Sequence, residues 1–394
     1  MFTIMMFLML SQSQTPTPET KDTSEPPLAE KSATVENTAF TNAGYHDGFF
    51  VKDEKGPFEL KIKGRLQLRH TWSIFENARD HASFALARGR MVLSGYAFDK
   101  NLRYYFQPEF GGGLVYLRDY YTDYTFSEML AIRVGQFKRP FSRQQINSSG
   151  KLQLVDRTIA DSYFNAGRDI GVALHNGYEN SPTFEYAVGV FNSTGDKPSF
   201  SGNVTIDPTT NQGTVSGGKF SNVPETYNPA VVARVGYNSD KLKGYSEVDF
   251  EGGDLRYGVA ASVVTDLDAD NQNNATTRAE LDTIIKCHGF SFLGSLYLGA
   301  NQNDEKFYDQ KLQSTGYHVE AGYLLTEHLQ PVLRYVQIAP KGVDNDLQEL
   351  TGGFNVYFYK HNLAWQTDAS MLRTEKMIDN STTYRVRSQL QLAF

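Results

Sequence analysis

Apolar and polar residues alternate strictly at both ends of the region between residue 58 and the carboxyl terminus. Successive side chains of a β-strand point to opposite faces, so each stretch predicts a long strand with one apolar and one polar face. The first stretch places Phe58, Leu60, Ile62, Leu66, Leu68 and Trp72 on one face and Glu59, Lys61, Lys63, Arg65, Gln67 and Arg69 on the other. The last stretch places Tyr384, Val386, Leu390, Leu392 and Phe394 opposite Arg385, Arg387, Gln389 and Gln391.

Fourteen further segments between these two stretches have strand patterns, which brings the predicted total to sixteen. They are 82–98, 101–110, 114–125, 129–137, 169–177, 183–192, 230–238, 254–265, 281–289, 290–301, 314–325, 329–338, 349–359 and 362–373. Their connections alternate between tight turns, such as 360–361, and long segments, such as 138–168, 193–229, 266–280 and 302–313. The short 111–113 and the longer 239–253 break this alternation. The alternation of lengths is typical of a transmembrane β-barrel.

The composition separates this barrel from soluble folds. Mean hydropathy is negative, but lipid-facing and lumen-facing residues of a barrel alternate and cancel in any average. A β-sandwich or propeller also has many short strands, yet the sequence has no blade-length repeat, and a sandwich seldom has sixteen strands. The 23 Tyr and 26 Phe, many near strand ends, suit aromatic girdles. We therefore predict an all-β, sixteen-stranded antiparallel transmembrane β-barrel.

The amino-terminal region differs from the rest of the chain. Residues 1–14 contain the apolar stretch MFTIMMFLML without a basic flank, which predicts a possible but incomplete signal peptide. Residues 15–57 are polar, contain proline and have few large apolar groups, which predicts a flexible periplasmic leader. Residues 58–394 are predicted to form the barrel.

Several other functions lack the residues that they need. A lone Cys287 excludes an internal disulfide framework, and the net charge of -7 argues against nucleic-acid binding. Asp266, Asp268 and Asp270 resemble the start of a calcium loop, but Asn271 and Thr277 replace its turn glycine and bidentate acid. The eight His show no zinc-site spacing, and no hydrolase or phosphate-loop motif is present. We predict no enzyme activity, no metal and no cofactor.

Several stretches resemble the phosphate-selective porin O and P family of outer-membrane porins. The resemblance is carried by GFFVKDEKGPFELKIKGRLQLR at 48–69, Arg88-x-Arg90, RVGQFKRPFSRQQINSS at 133–149, GRDIGVALHNG at 167–177, YAVGVFNSTG at 186–195 and the terminal QLQLAF. It implies a sixteen-stranded trimer whose third loop, here 138–168, folds inward as a constriction loop. The family's usual Glu after the PFS triplet is Gln144 here, and the loop 193–229 is long and poor in charge.

The side chains predicted to point inward include ten bases, which we expect to line an anion pathway. They are Lys61, Lys63, Arg65, Arg69, Arg88, Arg90, Arg103, Arg133, Arg385 and Arg387. The first and last strands pair in a closed barrel, which brings their bases together, and Glu59 and Glu109 are the only nearby inward acids expected. In the alternative interpretation, charges of both signs form compensating pairs, as in general porins.

The loop 138–168 also has a positive balance. Its bases are Lys138, Arg139, Arg143, Lys151, Arg157 and Arg168. Against Asp156 and Asp161 they give 6 − 2 = +4 in a chain of net charge -7. Guanidinium groups match phosphate oxygens geometrically. In the alternative interpretation, these bases pair with Asp123, Asp156 or wall carboxylates and anchor the loop. We expect about half of them to do so, with Arg139, Arg157 and Arg168 foremost.

Together these observations predict a homotrimeric outer-membrane porin for passive diffusion of small anions such as phosphate. Its other partners would be membrane lipid and the barrel-insertion machinery, which reads the terminal Phe394. Two alternatives stay open. The barrel is a general pore with weak selectivity, or it is a structural or adhesive barrel whose loops 193–229 and 266–280 bind an external partner.

Overall fold

The computed structural model describes residues 42–394 except 54, 77, 114, 197–198, 207–208, 211, 225–226, 268–275, 304–310, 342–344 and 376–380. The predicted signal peptide, most of the predicted leader, and Asp268, Asp270 and Asn271 of the calcium-like segment lie outside the described residues.

The described residues form twenty β-strands, two short α-helices and two single turns of 3-10 helix. The strands are β1 (Asn42–Tyr45), β2 (Phe49–Lys52), β3 (Glu59–Phe75), β4 (His81–Ala97), β5 (Asp99–Glu109), β6 (Tyr116–Ser127), β7 (Leu130–Lys138), β8 (Arg168–His175), β9 (Phe184–Phe191), β10 (Ser199–Ile206), β11 (Gly213–Ser221), β12 (Ala230–Asn238), β13 (Arg256–Asp266), β14 (Thr276–Cys287), β15 (Phe290–Asn303), β16 (Lys311–Tyr323), β17 (Leu329–Pro340), β18 (Leu347–Tyr359), β19 (Leu363–Thr374) and β20 (Ser381–Ala393). The helices are α1 (Arg143–Ile146) and α2 (Ile159–Phe164), and the 3-10 turns are Gly111–Gly113 and Tyr178–Asn180.

Sixteen of these strands form one closed antiparallel barrel. Strands β3–β9 and β12–β20 each pair with the next, β9 pairs with β12, and β20 closes the barrel on β3, where Gln389 lies opposite Arg69. The predicted sixteen-stranded barrel is thereby confirmed. The predicted strand bounds differ from the observed ones by a few residues, and most at the start of β14. This strand begins at Thr276 rather than 281, so the predicted connection 266–280 is shorter, because the alternation of β14 starts among polar residues.

The strands expose their apolar side chains on the outer surface and bury their polar side chains inside, which is the reverse of a soluble protein. On β3 the outward Leu66, Leu68 and Trp72 are 38%, 48% and 45% exposed, whereas the inward Gln67 is fully buried. An apolar outer surface and a polar interior suit a barrel that is surrounded by lipid. Among the described residues, no helix is long and apolar enough to cross a membrane.

The two ends of the barrel differ in their connections. Both barrel termini, together with tight turns such as 128–129 and 288–289, lie at one end, which we call the short-turn end. The segments 139–167 and 192–229 belong to the opposite end, the long-loop end, and β10 pairs with β11 as a separate hairpin within 192–229.

The predicted flexible leader is wrong for its last part. Strands β1 and β2 form a hairpin, and β2 pairs with β3 so that Phe49 lies opposite Ile62. Strand β20 ends opposite Arg65, which leaves the first residues of β3 without that partner. Because unpaired strand backbone needs hydrogen-bond partners, β2 completes this part of the seam. The ring of Phe49 packs edge-on against Phe394, with centroids 5.8 Å apart.

Of the connections that the structure describes, two fold into the lumen. The first, 139–167, is the constriction loop; its Leu152 carbonyl accepts a hydrogen bond from Gln366 Nε2 (3.1 Å), on the wall opposite its origin. The second, 239–255, joins β12 to β13 at the short-turn end, and we call it the inward turn. Its Tyr245 and Val248 are buried. This inward course explains why 239–253 broke the predicted alternation of connection lengths.

Candidate functional site: the lumen constriction

Two cavities of the lumen lie beside the wall formed by β3–β9. A cavity of about 190 Å³, the constriction cavity, lies between this wall and the constriction loop. It is lined by Arg65, Arg90, Tyr105, Gln107, Asp119, Tyr121, Arg133, Phe137, Lys138, Ile146, Ser148, Arg168 and Glu179. A second cavity of about 790 Å³, the vestibule, lies toward the short-turn end. The two cavities share Tyr105, Tyr121, Arg133 and Glu179, so they adjoin along this wall.

Arg65 is held at the constriction by hydroxyl groups. Its Nη1 donates to Ser148 Oγ (2.7 Å) and its Nη2 to Ser149 Oγ (3.2 Å), while Nε is buried without a hydrogen-bond partner. A Cβ at Gly150 would overlap the Arg65 guanidinium, so a larger residue there would displace this group from its serine partners. None of the described carboxylates forms an ion pair with Arg65, and its charge is therefore not neutralised by direct contact.

Lys138 lies at the end of β7, where the constriction loop begins. Its Nζ donates to the carbonyl oxygens of Ile146 (2.8 Å) and Asn147 (3.0 Å). An ammonium group has three donors, so one is left over on the side of the constriction cavity. Within the described part of the chain, Lys138 has no carboxylate ion-pair partner. It is the second base of the cavity whose charge is not directly paired.

The other three bases of the constriction cavity are paired. Arg90 Nε donates to Glu109 Oε2 (2.5 Å). Arg168 makes two bonds of 2.9 Å to the carboxylate of Asp119. Arg133 contacts both Asp123 (2.8 Å) and Glu179 (3.1 Å), and its guanidinium lies 4.2 Å from the centre of the Tyr121 ring. These pairs fix the shape of the cavity wall more than they add net charge.

The remaining predicted lumen bases lie along a longer path. Lys61, Lys63 and Arg103 line the vestibule, where Lys63 forms an ion pair with Asp47 of the amino-terminal hairpin. Arg385 lies on β20 with its Nε buried and unbonded, and no ion pair to it occurs among the described residues.

The expectation that Glu59 and Glu109 are the only nearby inward acids is wrong. Arg69 and Arg88 share Asp156 of the constriction loop at 2.9 and 3.0 Å. Arg387 makes two bonds of 2.7 Å to Asp368, its register partner on β19. The sequence contained these acids, but only the register and the course of the loop bring them opposite the bases. The interior is consequently a set of pairs with a few unpaired cations rather than a continuous positive stripe.

Asp156 anchors the middle of the constriction loop. Burial alone would raise the pKa of this carboxyl, but the guanidinium groups of Arg88 and Arg69 outweigh burial and hold the pKa well below its usual range. The carboxylate therefore stays ionised at neutral pH and holds the loop against β3 and β4.

Most bases of the constriction loop also make anchoring contacts. Arg139 binds Asp169 (2.5 Å) and Asp266 (2.9 Å), and Arg143 binds Asp282 (2.6 Å). Arg157 donates to the carbonyl oxygens of Gln144 and Asn147, both at 2.8 Å. Lys151 is exposed and has no carboxylate partner among the described residues. Only Lys138, Ile146, Ser148 and Arg168 of the predicted loop line the constriction cavity.

Gln144 stands where the resembled family has Glu, and its side chain makes hydrogen bonds within the constriction loop. Its Oε1 accepts hydrogen bonds from the backbone N and the Oγ1 of Thr158, both at 2.9 Å. It does not line the constriction cavity. The departure at this position therefore affects how the loop is held rather than which groups meet a solute.

Sequence reasoning missed the aromatic and acidic part of the cavity wall. Tyr105 and Tyr121 stack with centroids 5.2 Å apart, and Asp119 and Glu179 supply the two acids of the cavity. Alternation along β6 could have placed Tyr121 and Asp119 inward, whereas Glu179 lies in a turn without such a signal. No group of three or more His, Cys, Asp or Glu in the described ranges could hold a metal ion.

Comparison with known proteins agrees with this architecture. Residues 60–394 match the family model described as phosphate-selective porin O and P. An uncharacterized protein of Aquifex aeolicus (strain VF5) is 24% identical over 378 residues, covering 84% of this chain and 86% of that protein. The outer membrane channel DcaP of Acinetobacter baumannii is similar in structure, with a TM-score of 0.61 at 13% identity over 89% of this chain and 100% of that chain. An anion-selective porin from Comamonas acidovorans gives 0.54 at 12% identity, over 84% and 99%.

Proposed function

The chain belongs to the phosphate-selective porin O and P family, and from that premise we propose that it conducts small anions, phosphate and related oxyanions among them, by passive diffusion. It is a channel of the Gram-negative outer membrane. The observation that carries the proposal is the charge of the constriction cavity. Of the five bases that line it, Arg90, Arg133 and Arg168 are paired with carboxylates, whereas Arg65 and Lys138 have no carboxylate partner among the described residues.

Unpaired cations in the constriction cavity favour anions in two ways. They attract anions into the cavity, and they replace part of the hydration shell that the ion loses. Arg65 and Ser148, which both line the cavity, provide guanidinium and hydroxyl donors of the kind from which oxyanions accept hydrogen bonds. Two unpaired bases bind an anion weakly enough to release it, which diffusion requires.

Inorganic phosphate tests this proposal directly. Single channels in a planar bilayer carry a chloride current, and millimolar phosphate is then added to one side. Because phosphate competes for Arg65 and Lys138, we expect it to reduce the chloride current in a saturable manner. A chloride current that phosphate leaves unchanged at every concentration would contradict the proposed oxyanion preference.

A weakly selective general pore is the second candidate, and one observation favours it. Arg69, Arg88 and Arg387 are neutralised by Asp156 and Asp368, as compensating pairs in general porins are. This candidate predicts that potassium and chloride contribute equally to the current.

The quaternary structure and the processing of the chain are also proposals. We propose a homotrimer, on the strength of the family alone, and expect a band of three chains in a mildly denaturing gel. The signal peptide 1–14 and the leader upstream of the hairpin stay predictions, which amino-terminal sequencing of the exported protein checks.

A further inference from the structure

The two halves of the barrel wall differ in how far water reaches their inward side chains. On the half that includes β3–β6, Lys61, Ser94 and Arg103 line the vestibule. On the half formed by β12–β20, inward residues near the same, short-turn end are buried, among them Ser291, Gln330 and Asn355 at 0%, 0% and 1% exposure. One half is therefore covered by something that lies within the lumen.

The constriction loop covers only part of that half, and the inward turn covers the rest from the short-turn end. At its start, Tyr245 donates from its hydroxyl to Glu185 Oε1 on β9 (2.8 Å). Further along, Val248 packs with Tyr357 and Ala364 of β18 and β19. The inward turn thus spans the lumen between opposite walls.

The inward turn also contacts the tip of the constriction loop. Glu247 N donates to the Lys151 carbonyl (3.2 Å), and Gln153 N donates to Glu247 Oε2 (2.7 Å). Gln153 is itself fully buried, and its side chain accepts hydrogen bonds from Ser291 and Gln330. Glu247 therefore joins the two inward segments and fixes the loop tip against the covered wall.

A connection at this position does not need such length. Asn238 of β12 lies opposite Gly258 of β13, so a turn of a few residues would join the strands. The inward turn instead uses residues 239–255 and buries Leu242, Tyr245 and Val248. The additional residues of the inward turn therefore fill part of the lumen.

We propose that the inward turn is the second wall of the pore: it closes the β12–β20 half of the lumen from the short-turn end and positions the constriction loop, so that solutes cross only along the β3–β9 wall. Glu247 is the positioning residue between the two segments. This proposal rests on the proposed function in one respect, since it requires a water-filled path through the barrel. It does not depend on which ion that path prefers.

Paired serine-to-cysteine variants test which half is open to water. In a Cys287→Ser background, Ser94→Cys lies in the vestibule and Ser291→Cys on the covered half, opposite Lys286, whose Nζ donates to the Val248 carbonyl of the inward turn (3.0 Å). Outer-membrane vesicles are treated with a charged methanethiosulfonate reagent, and modification is read by intact-protein mass. We expect Ser94→Cys to react at least about tenfold faster, because burial of the thiol excludes the reagent. Equal rates would overturn the proposal, and this readout holds whether or not the channel prefers anions.

Shortening the inward turn tests its role as a wall. Residues 240–253 are replaced by Asn-Gly, and the matched control shortens the β10–β11 hairpin at the opposite end. A second aqueous path of similar width in parallel should raise single-channel conductance about twofold, while the control keeps the conductance of the full chain. Unchanged conductance in a folded, inserted variant contradicts the proposal. If the shortened chain does not insert into the membrane, the modification rates of the two cysteine variants test the proposal by themselves.

Discussion

Neutralising Arg65 is the sharpest test of how the constriction acts on ions. A sphere of the constriction cavity's 190 Å³ has a radius of about 3.6 Å, which places a central ion about 5 Å from the guanidinium. The Coulomb energy of two unit charges at that separation is about 0.8 kcal/mol in water, and screening at physiological salt reduces it to about 0.5 kcal/mol. This is about a 2.3-fold effect on an anion and the opposite effect on a cation, so Arg65→Gln should lower the anion-to-cation permeability ratio about fivefold.

The assay is the reversal potential of single channels in a salt gradient. Arg65→Lys is the first control, since it keeps the charge and should keep the ratio within about twofold while weakening phosphate block, because the fork is lost. Lys100→Gln is the second control, since Lys100 is exposed and lines neither the constriction cavity nor the vestibule. A ratio for Arg65→Gln equal to that of Lys100→Gln would refute the reasoning.

Three further predictions follow from the contacts of the loop and the seam. Asp156→Asn leaves Arg69 and Arg88 without their shared carboxylate and should cost about 2 kcal/mol in thermal unfolding. Because the pKa of Asp156 is lowered in the folded protein, this stabilisation is complete at neutral pH, and the difference from the wild type should shrink as the pH falls below about 4. Gly150→Ala would displace the Arg65 guanidinium, and we expect conductance measurements to show lower anion preference in a normally folded barrel. Deletion of 42–52 removes the strand that pairs with β3, so the barrel should unfold at a lower temperature in detergent, whereas an unchanged melting temperature would show that the hairpin is dispensable.

The barrel could be predicted from the sequence because its physical requirement is local. Every strand must present apolar groups to lipid and polar groups to the lumen, so alternation alone separates Leu66 and Leu68 from Gln67. The start of β14 was missed because Thr276–Arg278 are polar on both faces near the barrel rim. The hairpin of β1 and β2 was missed because its partner is the unpaired start of β3, which no local pattern shows.

The candidate site could be predicted only in part, since alternation gives the direction of a side chain but not its partner. It correctly places Arg65 and Arg90 on the inner face, yet it cannot distinguish Arg65, held by serine hydroxyls, from Arg90, neutralised by Glu109. That distinction depends on where the constriction loop crosses the lumen. The loop's course depends in turn on contacts between residues far apart in the sequence, such as Gln153 with Glu247.

The most direct test of anion conduction through this constriction is the reversal potential of the unmodified channel in a potassium chloride gradient. We expect a reversal potential with the sign of the chloride equilibrium potential. The reason is that Arg65 and Lys138 leave the constriction cavity with unpaired positive charge. A reversal potential of zero, or one with the sign of the potassium equilibrium potential, would contradict anion conduction through this constriction.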